Sequence, residues 1–260
     1  MAAPTVQVPA EVDAAQPSSV PLEGARANEN FCPTDTVEGR FWNTAVSPLV
    51  GAPDASFAPM SHFDQSANQW DTPDKIAWTE RYAQAIRSRV APGRRIRLLD
   101  VGCGTGLLSF HFAPVADAIL GIDTSPGMLE VFDAKAKATP QARSLLLDLE
   151  AHDLPAGATF DLVVSSMAFH HLVDPAAVLK KLGAALADGG RIAILDLDQE
   201  DGTFHPDPAR MGVKHFGFSE AAARDWAARA GLELLTREIV HVIEKGEGRR
   251  YPIFMAVFGR

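Results

Sequence analysis

Cysteine is nearly absent: Cys32 and Cys103 are the only two in 260 residues, and they sit in unrelated contexts. A disulfide-stapled secreted scaffold needs more, and so does a structural zinc site built on thiolates. Basic residues are also scarce, 24 Lys and Arg against 33 Asp and Glu, for a formal charge of −9. Broad contact with nucleic acid or an anionic membrane requires a dense basic face, so neither is expected as a partner. A local basic pocket is compatible with the same counts. No apolar run approaches the length of a membrane span, so no membrane insertion is expected. The first Lys or Arg is Arg26, which leaves the N-terminus without the basic start of a secretory signal or the Arg-rich character of a transit peptide. These absences together lead to the expectation of a cytoplasmic protein.

What is present suits a globular chain. Hydrophobic residues make up 47% and charged residues 22%, ordinary values for a folded domain of a size that can bury a full core. Residues 1–60 read differently from the rest. Eight of the 18 prolines fall there, among Ala, Ser and acidic residues, and each removes a donor and fixes φ. The expected organisation is an N-terminal extension over 1–60, largely irregular or disordered, followed by one domain over 61–260. Phe41-Trp42 and Leu49-Val50 suggest that the end of the extension packs on that domain.

From there strands and helices alternate. Asp71-Thr72-Pro73 supplies a capping side chain and a proline for a first helix. Ile76, Ala83, Ile86 and Val90 recur on one of its faces up to a stop at Pro92-Gly93. Ile96–Val101, Ala118–Ile122, Ser144–Leu147, Phe160–Ser165 and Arg191–Leu197 read as strands. Helices are expected at Thr105–Phe112, after Ser125-Pro126, after Asp174-Pro175 and from Ser219 to Gly231. The helix after Asp174 is expected to stop at Asp188-Gly189-Gly190. Two more strands follow, near Leu234–Val242 and Pro252–Phe258. Short, continuously apolar strands alternating with helices imply a parallel sheet covered on both faces.

The most specific segment is Leu98–Leu107, LLDVGCGTGL, in which a strand ends and three glycines alternate. Such a loop lets the backbone approach a ligand closely. A dinucleotide fingerprint would place its third glycine where Leu107 stands, and Asp100 would repel a pyrophosphate. A ligand with an amino-acid end, ammonium and carboxylate together, fits better. Asp123 ends the second strand, where an acid can accept hydrogen bonds from both ribose hydroxyls. Asp148 ends the third strand and can receive an adenine amino group, with the Leu149 N–H reaching a ring nitrogen. Glu150 and Asp153 compete with Asp148 for that role.

At this point the run from Trp70 to Arg260 resembles a class I S-adenosylmethionine-dependent methyltransferase of the small-molecule, ubiquinone-biosynthesis-like type. The residues that carry the resemblance are DVGCGTG (100–106), GIDTSPGML (121–129), FDLVVSSMAFHHL (160–172), LADGG (186–190) and RIAILDLD (191–198). It implies a Rossmann-like, doubly wound, seven-stranded and mostly parallel sheet whose last strand is antiparallel. It also implies S-adenosyl-L-methionine as cofactor, held by Asp100, Gly102, Gly104, Gly106, Asp123, Thr124, Asp148, Leu149 and Ser165. A methyl group would pass to an O, N or C nucleophile of a small-molecule substrate. A binding protein that keeps the pocket without turnover, or an NAD-dependent oxidoreductase, are the alternatives.

The acceptor's end is read from Met167–His171 and from the long link Asp196–Phe218, both at the carboxyl rim of the sheet. Phe63, Trp70 and Trp42 could form a lid there. His170 and His205 are the candidate general bases, because histidine titrates near neutrality. The acid and histidine cluster at 196–215 matches no recognised metal-ligand spacing, so no metal is expected.

Overall fold

The computed structural model describes residues 61–90, 95–246 and 248–260. The 1–60 extension, with Cys32 and Trp42, lies outside the described residues, as does the Pro92-Gly93 stop. Seven strands form one sheet in the order β3-β2-β1-β4-β5-β7-β6. They are β1 Ile96–Val101, β2 Ala116–Asp123, β3 Ala142–Leu146, β4 Phe160–Ser166, β5 Leu186–Leu197, β6 Glu233–Lys245 and β7 Arg249–Gly259. Strands β1 to β5 are parallel, and β7 runs antiparallel between β5 and β6. This is the expected Rossmann-like topology.

Side chains alternate between the two sheet faces, and each face has its own core. Leu99, Val101, Ile122, Val163 and Ile194 pack under α4 (Pro175–Ala184) and α5 (Glu220–Ala230). Leu98, Ile119, Leu162, Val164 and Leu195 pack under α2 (Pro73–Arg89) and α3 (Pro126–Ala136). The helix starts are set by their caps: Thr72, Ser125, Asp174 and Ser219 each accept a backbone N–H of the first turn. A short helix α1, His62–Ser66, carries a capping box between Ser61 and Asp64.

Three expectations are corrected. No α-helix spans Thr105–Phe112; turns lead into a 3₁₀ helix at Ser109–Val115. Gly106 adopts φ 82°, which breaks a right-handed helix, and Pro114 has no N–H to close the last turn. Ile76 is exposed, and the buried face of α2 is Thr79, Tyr82, Ala83 and Ile86. Strand β5 begins at Leu186, so the Asp188-Gly189-Gly190 segment is an irregularity within the strand, where the pairing to β4 shifts register.

The glycine loop is wedged as well as bent. A Cβ added at Gly106 would lie 2.5 Å from the Phe110 ring and 2.7 Å from the Phe132 ring. Gly106→Ala is therefore expected to destabilise the fold by about 2–4 kcal/mol, through overpacking and left-handed strain together. Urea unfolding of the variant and of the wild type checks this, and a change within about 0.5 kcal/mol contradicts it.

Candidate active site

The parallel strands deliver their carboxyl ends to one edge of the sheet, and a cavity of about 710 Å³ opens there. Its floor is the glycine loop, with φ of 67°, 53° and 82° at Gly102, Gly104 and Gly106. A Cβ at Gly102 would meet that of Ala168 at 2.4 Å, so this glycine allows the loop to pack on the segment after β4. At Gly104 the nearest atoms to an added Cβ are Met128 Sδ at 3.9 Å and Trp70 Nε1 at 4.0 Å. That side of the backbone faces free volume, as a ligand-cradling loop requires.

Two carboxyls shape this half. Asp123 Oδ2 accepts the Gly104 N–H at 2.8 Å, and Oδ1 accepts the Ser125 N–H at 2.9 Å. The sequence assigns Asp123 to a ribose; the structure shows it clasping the loop, while each oxygen keeps a second lone pair for a ligand. Asp100 is 1% exposed and accepts the Ser109 hydroxyl. Burial, with a smaller contribution from the Asp123 charge, pushes its carboxyl up to about 7. No cation pairs with it among the described residues. A ligand ammonium would relieve that burial, so the residues fit the methionine end of S-adenosylmethionine.

Thr124, Asp148 and Leu149 line the same half. Asp148 is exposed, with one oxygen on the Glu150 N–H at 2.8 Å. Of its rivals, Glu150 also lines the cavity but binds the N–H groups of Val173 and Asp174, whereas Asp153 pairs with Lys181 away from it. Ser165 departs from expectation. Its hydroxyl donates to the Val101 carbonyl at 2.7 Å across the β1–β4 pair, and its neighbour Ser166 lines the cavity instead.

The other half is built on the turn after β4. Met167 holds φ 57°, the single non-glycine with positive φ among the described residues, and the strain sits at the cavity wall. His170 follows. Its Nδ1 lies 2.7 Å from Asp196 Oδ1, and its backbone N–H donates to Asp196 Oδ2 at 3.2 Å. Asp196 is fully buried at the end of β5 and also accepts the Leu197 N–H. Nδ1–H of His170 is thereby fixed as the donor, and its Nε2 is buried without a partner.

His171 and His205 complete a trio, their ring centroids 4.2 Å and 4.9 Å from that of His170. Burial and the neighbouring His170 push both down to about 4, so they are neutral near pH 7. One nitrogen from each of the three lies within 4.8 Å of the others, a grouping that could hold a metal ion. The sequence reading looked for ligands only within 196–215 and missed it, because two members come from the turn after β4. The acids of that segment stitch the loop instead: Glu200 accepts N–H groups of Thr203 and Phe204, Asp207 that of Arg210, and Asp198 pairs with Arg237.

Helix α1 roofs this end. Asp64 accepts the Ser125 hydroxyl at 2.6 Å and the Gly127 N–H at 3.0 Å, tying α1 to the start of α3. Phe63 then stands edge-on to His171 at 5.2 Å and to Trp70 at 5.8 Å. Other residues here went unnoticed in the sequence. Lys75 sits 3.2 Å over Trp70 and Lys245 sits 3.4 Å over Phe204. Burial takes Lys75 down to about 8, against the opposing pull of Asp71. Tyr82 presents a buried hydroxyl with no partner. A lysine in the first turn of a helix opposes the helix dipole, which was the one available signal for Lys75.

Comparison with known proteins points to methyltransferases. The family described as "Methyltransferase domain" matches residues 99–192. An uncharacterised methyltransferase of Schizosaccharomyces pombe is 39% identical over 133 residues, 46% of this chain and 47% of that protein. The match therefore takes in less than half of that relative's own length. An O-methyltransferase of Pyrenophora dematioidea is 31% identical over 193 residues, 73% of this chain and 70% of the relative. A structure titled as a SAM dependent methyltransferase from Aquifex aeolicus superposes with a TM-score of 0.54 at 18% identity, covering 75% of this chain and 97% of that one. That similarity speaks for the fold.

A ligand ammonium binds the ionised form of Asp100, so protons compete with it. Affinity for S-adenosylhomocysteine is expected to fall about tenfold per pH unit below about 7. Asp100→Asn is expected to weaken binding about tenfold at pH 8 and to flatten that slope. Calorimetric titration from about pH 5.5 to 8.5 checks both, and a pH-independent wild-type affinity removes Asp100 from the role.

Proposed function

This chain belongs to the class I S-adenosylmethionine-dependent methyltransferases, and we propose that it methylates a hydroxyl group of a small-molecule acceptor, with His170 taking the hydroxyl proton. The observation that carries this reading is the buried His170–Asp196 pair, which leaves one imidazole lone pair unmatched at the cavity wall. The name of the Pyrenophora dematioidea relative supports oxygen as the nucleophile.

When bound, the cofactor supplies a methyl group already activated on a sulfonium. Asp100, Asp123, Thr124, Asp148, Leu149 and the open backbone at Gly104 would hold it. What remains for the chain is to align the acceptor, exclude water and receive one proton. When the acceptor hydroxyl is methylated, its proton would pass to His170 Nε2. Asp196 keeps Nδ1–H in place and balances the charge that the ring gains, the arrangement of a carboxylate-oriented histidine base. His205 stays neutral beside it and narrows access to water. The roof of Phe63 and Trp70 serves the same exclusion.

One other reading has specific support, and a second is the reading without turnover. The three clustered imidazoles favour a divalent ion that would bind and acidify the hydroxyl. Loss of turnover on chelation, restored by added zinc, would replace the histidine-base reading. A pocket that binds cofactor without turnover is the other. It would show as tight S-adenosylhomocysteine binding with no labelled product across a panel of phenols, amines and quinone precursors.

His170→Gln is expected to lower kcat by about 10²–10⁴ and to leave S-adenosylhomocysteine affinity unchanged. Asp196→Asn is expected to lower it by a smaller factor, about 10–10². Single-turnover methyl transfer with the panel compound that reacts fastest checks both. Unaltered turnover in His170→Gln would refute the proton-acceptor role.

A further inference from the structure

The cavity is divided by charge. All four acids that line it, Asp100, Asp123, Asp148 and Glu150, lie at or just past the ends of β1, β2 and β3, in the cofactor half. Among the described residues, the wall formed by α2 and the end of β6 has none, although its Trp70 also reaches the glycine loop, with Nε1 4.0 Å from a Cβ built at Gly104. It carries instead two ammonium groups, Lys75 from the first turn of α2 and Lys245 from the end of β6, between walls of Trp70, Trp78 and Phe204.

Neither lysine has a carboxylate within ion-pair distance among the described residues. The nearest carboxylates, Asp71 and Glu200, attract Lys75 and Lys245 respectively without pairing with them. Asp71 is held by Lys135 at 2.5 Å and by the Thr105 hydroxyl, and one Glu200 oxygen is taken by the N–H groups of Thr203 and Phe204. Both lysines line the cavity, and the Lys245 charge adds a small lowering of Lys75 to that of its burial. Lys245 donates only to the Phe204 carbonyl, at 3.0 Å, and Lys75 rests on an aromatic face. Two cations on one wall, Lys75 half-buried and Lys245 more exposed, favour an anion between them. The overall charge of −9 makes this basic corner a local departure from the rest of the chain.

Tyr82 is an independent sign of the same thing. It is 2% exposed, lines the cavity, and its hydroxyl has no partner among the described residues. Lys75, Trp78 or Thr79, and Tyr82 recur at helical spacing, so one face of α2 runs along the cavity. Seven residues of helix place Lys75 about 10 Å along the axis from Tyr82. Lys75 thus stands at one end of this wall, and Tyr82, which feels the charge of Asp196, at the His170 end.

We propose that the acceptor is a hydroxylated aromatic compound with a carboxylate at its far end, the carboxylate seated between Lys75 and Lys245 and the ring between Trp70, Trp78 and Phe204. The hydroxyl end rests on the function proposed above; the carboxylate end does not. A carboxylate fits better than a phosphate. Among the described residues no arginine lines the cavity to give the forked contacts that phosphate favours, and a single negative charge loses less hydration among aromatic walls.

The experiment compares 4-hydroxycinnamate, its neutral amide and phenyl phosphate, titrated calorimetrically into the S-adenosylhomocysteine complex of the full chain. The acid is expected to bind at least about tenfold tighter than the amide. Lys245→Met should remove most of that preference without changing S-adenosylhomocysteine affinity, and Lys75→Met should remove most of it as well. Equal binding of acid and amide, a preference that survives both substitutions, tighter binding of phenyl phosphate, or no binding of the acid overturns the proposal. If the preference is found but no methyl ether forms from the acid, the carboxylate seat stands and the proposed chemistry fails.

Discussion

Two backbone N–H groups, from Gly104 and Ser125, meet on one carboxylate, that of Asp123. Through those bonds the end of β2 sets the height of the glycine loop above β1 and the starting direction of α3. Asp64 then fastens α1 to the same helix start, and α1 places Phe63 over the cavity. The roof and the floor therefore share one anchor. The apolar cores on the two faces supply most of the stability, but they are indifferent to where the loop stands; the clasp is what makes the sheet edge a defined site.

Some of this was legible in the sequence because it depends on neighbours in the chain. A proline preceded by Thr, Ser or Asp starts a helix through contacts three residues away, and Thr72, Ser125 and Asp174 behave accordingly. Alternating glycines at a strand end mark backbone that needs positive φ, and all three have it. The acids at 100, 123 and 148, read as strand-end residues, line the cavity. Where the reading failed, distant parts of the chain decided. Gly106 cannot continue a helix because Phe110 and Phe132 enclose it in a left-handed turn. Ser165 turns to the Val101 carbonyl, a partner that exists only once β1 and β4 pair. The imidazole trio joins a turn after β4 to a loop after β5, and no spacing within either segment could announce it. Lys75, Tyr82 and Lys245 likewise share a wall only because α2 crosses β6.

The division of charge follows from the topology. Strands β1, β2 and β3 contribute acids at one side of the edge, and the reversed pair β7 and β6 brings lysine to the other. A buried Asp100 near neutrality in its titration and a depressed Lys75 are the two ends of one field. Each is unfavourable in isolation, and each is relieved by a ligand of opposite sign. This is the usual cost of a preorganised site: stability is given up locally where binding will recover it.

Strand β6 meets β7 through two register shifts, between Leu234 and Thr236 and between Ile239 and His241, before reaching Lys245 opposite Arg249. Because residues along a strand face alternate sides, a one-residue slip beyond the second shift would turn the Lys245 side chain away from the cavity. Gly246 and Gly248, both with positive φ, close the hairpin at that point and allow such a slip with little strain. Descendants of this chain could therefore alter that wall of the cavity by inserting or deleting a residue in the hairpin, while the glycine loop, farther along the same sheet edge, is inherited unchanged.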